Sequence, residues 1–131
     1  MACSACSEPT IAFLIPEEYR EYAPVDTPAA TLCTRCLTVD PEPDAVLEDP
    51  DFSRVSDAVP TSTHAAVPLA LALDLASSLA TNRAAIEDLL EAVERAGTDP
   101  LLAMDRLLAD PEIDPQIDLE RRRHQLEQFL Y

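Results

Sequence analysis

Apolar spacing along the chain changes rhythm twice. Thr10-Ile11-Ala12-Phe13-Leu14-Ile15 is a short, dense run with β-branched and aromatic residues, bounded by Pro9 and Pro16. That length and those flanks predict a strand. Glu17–Tyr22 follows as one expected helical turn, ending before Pro24, and the acidic stretch 23–28 reads as a loop. Thr31-Leu32 leads into a tight turn, and Leu37-Thr38-Val39 predicts a returning strand. The rhythm then fades. Asp40-Pro41-Glu42-Pro43-Asp44 and Glu48-Asp49-Pro50-Asp51 are acidic and proline-rich, which predicts a tether. Within it, Pro50–Val55 predicts a short helical turn that docks Phe52 and Val55 on a neighbouring core, and Pro60–Thr63 reads as a loop.

Past residue 63 the spacing becomes helical. A first helix is expected near 67–80, with Pro68 at an early position. Leu69, Leu71, Leu73, Leu75 and Leu79 with intervening alanines cover most of its circumference, the mark of a buried helix. Alternation over 69–75 also suits a strand, but Ala70, Ala72, Ala76 and Ala80 and the length of the run favour helix. A second helix is expected at 83–96, capped by Thr81 or Asn82. Ile86, Leu89, Leu90 and Val93 form its stripe, and Gly97 lies where a left-handed residue ends it. The third opens at Thr98-Asp99-Pro100, carries Leu101, Met104 and Leu108 on one side, flanked by Leu102 and Leu107, and stops at Asp110-Pro111. The fourth is expected from Asp114-Pro115 to about Leu130, with Leu119, Leu126 and Leu130 as its stripe and Phe129 beside it. Short connections predict antiparallel neighbours. The class is therefore α+β: a small β ribbon at 1–40, an acidic linker at 41–63, and a bundle of three to four helices at 64–131.

Composition sharpens this. One glycine stands against 12 prolines, so helix ends and turns must rely on Pro, Asp, Asn and Thr. The 25 acidic residues outnumber nine basic ones, for a net charge of −16, and all nine basic residues are arginine. The acids are spread along the whole chain rather than blocked at one end. That favours a surface suited to a high-salt cytosol over an acidic binding tail. On that reading the acidity does not exclude a nucleic-acid partner. Residues 1–9 lack a basic start and an apolar core, and the apolar stretch near 65–80 is short and interrupted by Asp74. The expectation is a soluble, intracellular protein with no membrane span and reduced thiols.

The chemistry lies in four cysteines. Cys3-Ser4-Ala5-Cys6 and Cys33-Thr34-Arg35-Cys36 are two CxxC pairs that hold every cysteine in the chain. Two such pairs are the spacing of a tetrahedral four-thiolate zinc site. About forty residues bury too little surface to fold alone, and zinc binding contributes on the order of 10–16 kcal/mol in small zinc-dependent peptides. Four thiolates fill the shell, so the expected role of Zn2+ is structural. An iron–sulfur centre uses the same ligand type, and free or redox-paired thiols are the third reading. Ser7 and Leu37 stand where such turns often place glycine.

Arg121-Arg122-Arg123 concentrates a third of the positive charge in one turn of the last helix. It reads either as side chains that snorkel and pair with carboxylates such as Glu120 or Glu127, or as a basic patch for phosphate or an acidic partner. His64 and His124 lie in no metal-ligand spacing. Neither a glycine-rich phosphate loop nor a nucleophile–base set is present, so no enzyme is expected.

The CxxC pairs, the lysine-free acidic composition and the tail from Asp118 to Leu130 together resemble a small uncharacterised family of haloarchaeal proteins. The resemblance covers the whole chain. It implies an intracellular, halophilic, zinc-ribbon protein and carries no activity or partner. The function expected is a non-enzymatic interaction module, a protein–protein adaptor or regulator with an unidentified protein partner and an open oligomeric state. The alternative is a nucleic-acid-associated factor, related to transcription or the ribosome, using the ribbon and the Arg121–Arg123 turn.

Overall fold

The computed structural model describes residues 2–23, 27–42 and 49–130, with Phe129 and Leu130 as backbone only. The expected boundary at Pro24, the Pro43–Glu48 part of the linker and the Phe129 and Leu130 side chains of the last stripe lie outside the described residues.

Three strands form an antiparallel sheet in the order β1 (Thr10–Leu14), β2 (Ala29–Cys33), β3 (Val39–Pro41). In β1, Ile11 and Phe13 are buried while Leu14 is 58% exposed, the alternation of a strand with one covered face. All five residues of central β2 are buried. The returning strand begins at Val39 rather than Leu37 because Leu37 adopts φ 64°, outside the extended range. Pro41 ends β3 on the sheet edge, where its missing donor removes no ladder bond. Glu17–Tyr22 forms a 3-10 turn, and so does Phe52–Arg54, in which the Asp51 carboxylate accepts from Ser53 N at 3.1 Å.

Helix α1 spans Thr63–Leu75, so it starts earlier than expected. Pro68 lies inside it, one turn further in than the position predicted. Its missing N–H gives no bond to the carbonyl four residues back, on exposed His64. The residues from Ala65 to Leu73 are all buried, as an all-round apolar helix requires. A 3-10 turn at Ala76–Ser78 and the non-helical backbone of Ser78 (φ −130°, ψ 67°) turn the chain into α2 (Leu79–Arg95). The predicted Thr81 or Asn82 cap is not used. Both residues sit inside α2, and the Asn82 amide donates instead to Leu75 O at 3.1 Å, closing the end of α1. Ile86, Leu89, Leu90 and Val93 are each at most 1% exposed, and Gly97 ends the helix at φ 94°.

Helix α3 (Pro100–Ala109) is capped by Asp99, which accepts from Leu101 N and Leu102 N at 3.1 and 3.2 Å. Its buried row is Leu101, Met104 and Leu107; Leu108, expected inside, is 39% exposed. Helix α4 (Leu119–Leu130) starts later than Asp114-Pro115. Residues 110–118 instead cross to the cysteine turns, where Asp114 N donates to Arg35 O at 2.8 Å and Gln116 N to Cys36 O at 3.2 Å. Asp118 then caps α4 through Arg121 N at 3.1 Å.

One buried apolar cluster joins the three parts of the chain. It runs from Phe13 and Leu32 in the sheet through Phe52 and Val55 to Leu69, Ile86, Met104 and Leu126 in the four helices. Phe52 docks as expected, its ring 5.8 Å from that of Phe13 at 51°. The run Thr63–Arg95 is long and apolar enough by length and composition to cross a membrane, but 61% of its most apolar window is buried within the fold. Those residues fill the core.

Candidate metal centre

The two cysteine turns are built alike. In the first, Cys3 N donates to Glu8 O at 2.8 Å, and in the second, Cys33 N donates to Thr38 O at 3.0 Å, the same offset in sequence. Ala5 N lies 3.4 Å from Cys3 Sγ and Arg35 N lies 3.4 Å from Cys33 Sγ, so each first sulfur receives a backbone donor two residues on. Ser7 and Leu37 occupy matching places with φ 66° and 64°. Left-handed backbone is uncommon for residues other than glycine, asparagine and aspartate. Its occurrence at both positions means that the path of the turn overrides side-chain preference, because the chain must reverse there to aim the second sulfur inward. β2 carries Cys33 at its end, and the bridge between Ala2 and Pro9 closes the first turn beside it.

The turns bring all four predicted ligands together. The sulfurs of Cys3, Cys6, Cys33 and Cys36 lie within 4.8 Å of one another. Three close contacts run between the turns: Cys3–Cys36 at 3.5 Å, Cys6–Cys33 at 3.4 Å and Cys6–Cys36 at 3.5 Å. A tetrahedral ion with bonds of about 2.3 Å sets its sulfurs about 3.8 Å apart, so the set fits one ion. Cys3, Cys33 and Cys36 are buried and Cys6 is partly exposed. Burial pushes the Cys33 thiol up to about 12 and the Cys36 thiol upward too. Burial acts the same way on Cys3, but donors from the Ala5 and Cys6 backbone and the neighbouring thiols outweigh it and bring that thiol down to about 7. Loading a metal therefore requires Cys33 and Cys36 to release protons, and affinity falls as pH falls. Thr38 Oγ1 lies 3.0 Å from Cys36 Sγ, placed to donate once that sulfur is a thiolate.

The arginine turn behaves differently. Arg123 links α3 to α4: Nη2 donates to Asp105 Oδ2 at 3.0 Å, and a second ion pair joins it to Glu127. Its Nε also lies 2.8 Å from Asp105 Oδ1, but that N–H is not aimed along the contact, so the Nη2 bond is the directional one. Arg122 Nη1 donates to Gln125 Oε1 at 3.0 Å. Arg121 is exposed, and among the described residues its side chain makes no hydrogen bond or ion pair. The three side chains thus do not converge on one point. His124 faces Gln128 on the exposed side of α4.

The sequence profile of one family, described as a family of unknown function (DUF6276), matches residues 2–130. The chain belongs to DUF6276. The match spans the cysteine turns and the helices together. No curated protein and no solved structure matches this DUF6276 chain.

Sequence reasoning passed over Asp74, the one charged residue in the apolar run of α1. It lines a cleft beside the second cysteine turn, and its carboxyl is pushed up to about 6 by burial and, second, by the charge of Asp40. An unfolded Asp titrates near 3.9. Above about pH 6 the fold therefore carries a disfavoured charge, and this penalty fades as pH falls through 6 toward 4. Asp74→Asn in this DUF6276 protein is expected to raise stability at about pH 7.5 by ~1–2 kcal/mol, after allowing for partial exposure, and by less at about pH 5. Urea melts of both proteins at the two pH values measure this. An equal effect at both would show that the charge of Asp74 is not the cause.

Proposed function

We propose that DUF6276 chains such as this one are non-enzymatic interaction modules whose ribbon is held by one structural zinc ion on Cys3, Cys6, Cys33 and Cys36. The single observation that carries the reading is the grouping of four sulfurs from two matching turns within 4.8 Å. Such a grouping suits one ion better than a multi-iron cluster, whose thiolates sit on separate metal atoms. Each sulfur has a partner in the other turn at 3.4–3.5 Å, so the four form one group rather than two separate CxxC pairs. With four thiolates the shell of the ion is closed, and a closed shell gives stability rather than a position for substrate. The role proposed is adaptor or regulator toward a protein partner in a high-salt cytosol, supported by the lysine-free, acid-rich composition. The nucleic-acid alternative has less support, because Arg122 and Arg123 are engaged within the fold.

Elemental analysis of the purified protein is expected to find one zinc per chain and no visible absorption. A coloured protein with stoichiometric iron would overturn the zinc assignment. Affinity purification from the native host at its own salt is expected to recover a protein in fixed ratio that survives nuclease treatment. Recovery of nucleic acid in its place would overturn the adaptor reading in favour of the alternative.

A further inference from the structure

The cleft that holds Asp74 measures about 170 Å3 and lies where three parts of the chain meet. The second cysteine turn supplies Leu37, the end of α1 supplies Leu73 and Asp74, and the segment leading into α4 supplies Pro115, Ile117 and Leu119. Half of its lining is thus aliphatic, Cys36, Thr38, Ser77 and Gln116 add neutral polar groups, and Asp74 is its one carboxylate. Among the described residues no arginine or histidine pairs with that carboxylate. The charge that acts on it is a second acid, Asp40, whose carboxylate accepts from Ser4 Oγ at 2.8 Å.

A half-buried carboxylate with no counter-charge is costly unless something completes it. A hard metal ion is a poor candidate, since such ions are held largely by carboxylates and this cleft offers a single one, with only neutral oxygens from Thr38, Ser77 and Gln116 beside its aliphatic wall. An organic cation meets both conditions. Its N–H groups would bond Asp74, and its hydrocarbon part would replace water against Leu37, Leu73 and Ile117. The net charge of −16 raises the local concentration of any cation near the surface.

We propose that this cleft is a binding site for a small organic cation, an alkylammonium or alkylguanidinium group, with Asp74 as its counter-ion. The site is distinct from the cysteine centre, although one wall belongs to it, and it does not depend on the adaptor reading.

The test is a titration of the metal-loaded, full-length protein with n-butylammonium, followed by amide chemical shifts. Saturable shifts are expected at Leu37, Leu73, Asp74 and Ile117, with millimolar affinity for so small a ligand. Asp74→Asn should weaken binding roughly tenfold to a hundredfold, the worth of a charge-assisted hydrogen bond. Asp74→Asn should still fold, because it removes an uncompensated charge, and its amide spectrum verifies this. Glu120→Gln, an exposed acid on α4, should bind as the parent does. Butyrate and butanol should not produce the shifts. Linear shifts without saturation, equal binding by Asp74→Asn, or the same shifts with potassium chloride at equal concentration would each overturn the proposal.

Discussion

On the zinc reading, removing the ion or one of its ligands should dismantle the ribbon and weaken, to a smaller degree, the helices that share its core. Cys33→Ser is the sharpest case, since Cys33 is fully buried and ends the central strand. The loss should exceed that of an ordinary core substitution. Metal binding contributes on the order of 10 kcal/mol in small zinc-dependent peptides, against a total stability of roughly 5–15 kcal/mol for a typical domain. Hydrogen exchange should show the collapse directly, with protection lost across β1, β2 and β3 and retained at Ile86, Leu89 and Leu90. A chelator should lower the unfolding temperature of the parent protein and leave Cys33→Ser unchanged, because that variant has already lost the site. Ser4→Ala, in the same turn but with no sulfur, should behave as the parent with respect to chelator. A parent protein whose melting ignores chelator would remove the metal from the account of the fold.

Phe52→Ala should cost ~3–5 kcal/mol, the range for truncating a buried aromatic residue. For a chain of this length the fall in melting temperature should be on the order of 10–20 °C. Phe52 lies within an otherwise acidic, proline-rich tether; were it solvated rather than docked as the sequence predicts, its loss would change stability by less than about 0.5 kcal/mol. The two expectations differ severalfold, so a single thermal melt separates them. The structure favours the larger value, because Phe52 is 1% exposed and meets Phe13 across the join between sheet and helices. A double-mutant cycle with Phe13→Ala should return a coupling of about 0.5–1.5 kcal/mol. A coupling of zero would mean that the two rings are buried independently.

The parts of the fold that were legible in the sequence are those decided by local chemistry. Two CxxC spacings, an apolar run between Pro9 and Pro16, the Gly97 stop and the Asp99-Pro100 start each reveal themselves within a few residues, and the structure contains all of them. The parts that were misread depend on distant partners. Helix α1 extends back past Pro68 because burial of Ala65, Ala66 and Val67 outweighs the cost of the proline. Helix α4 starts late because Asp114 and Gln116 give their N–H groups to the second cysteine turn, and nothing near Pro115 announces that. Leu107 and Leu108 exchange places because the neighbours of α3, rather than its own period, select its inner face. Asp74 was visible as a lone acid in an apolar run, but only the cleft around it gives the charge a meaning.

The two backbone bonds from Asp114 and Gln116 to Arg35 and Cys36 have a mechanical consequence. They lash the approach to the last helix onto the ribbon's inner hairpin, so the hairpin acts as a cleat for a distant part of the chain. Slackening that cleat would loosen the mooring of the last helix as well, although no residue of that helix donates a sulfur.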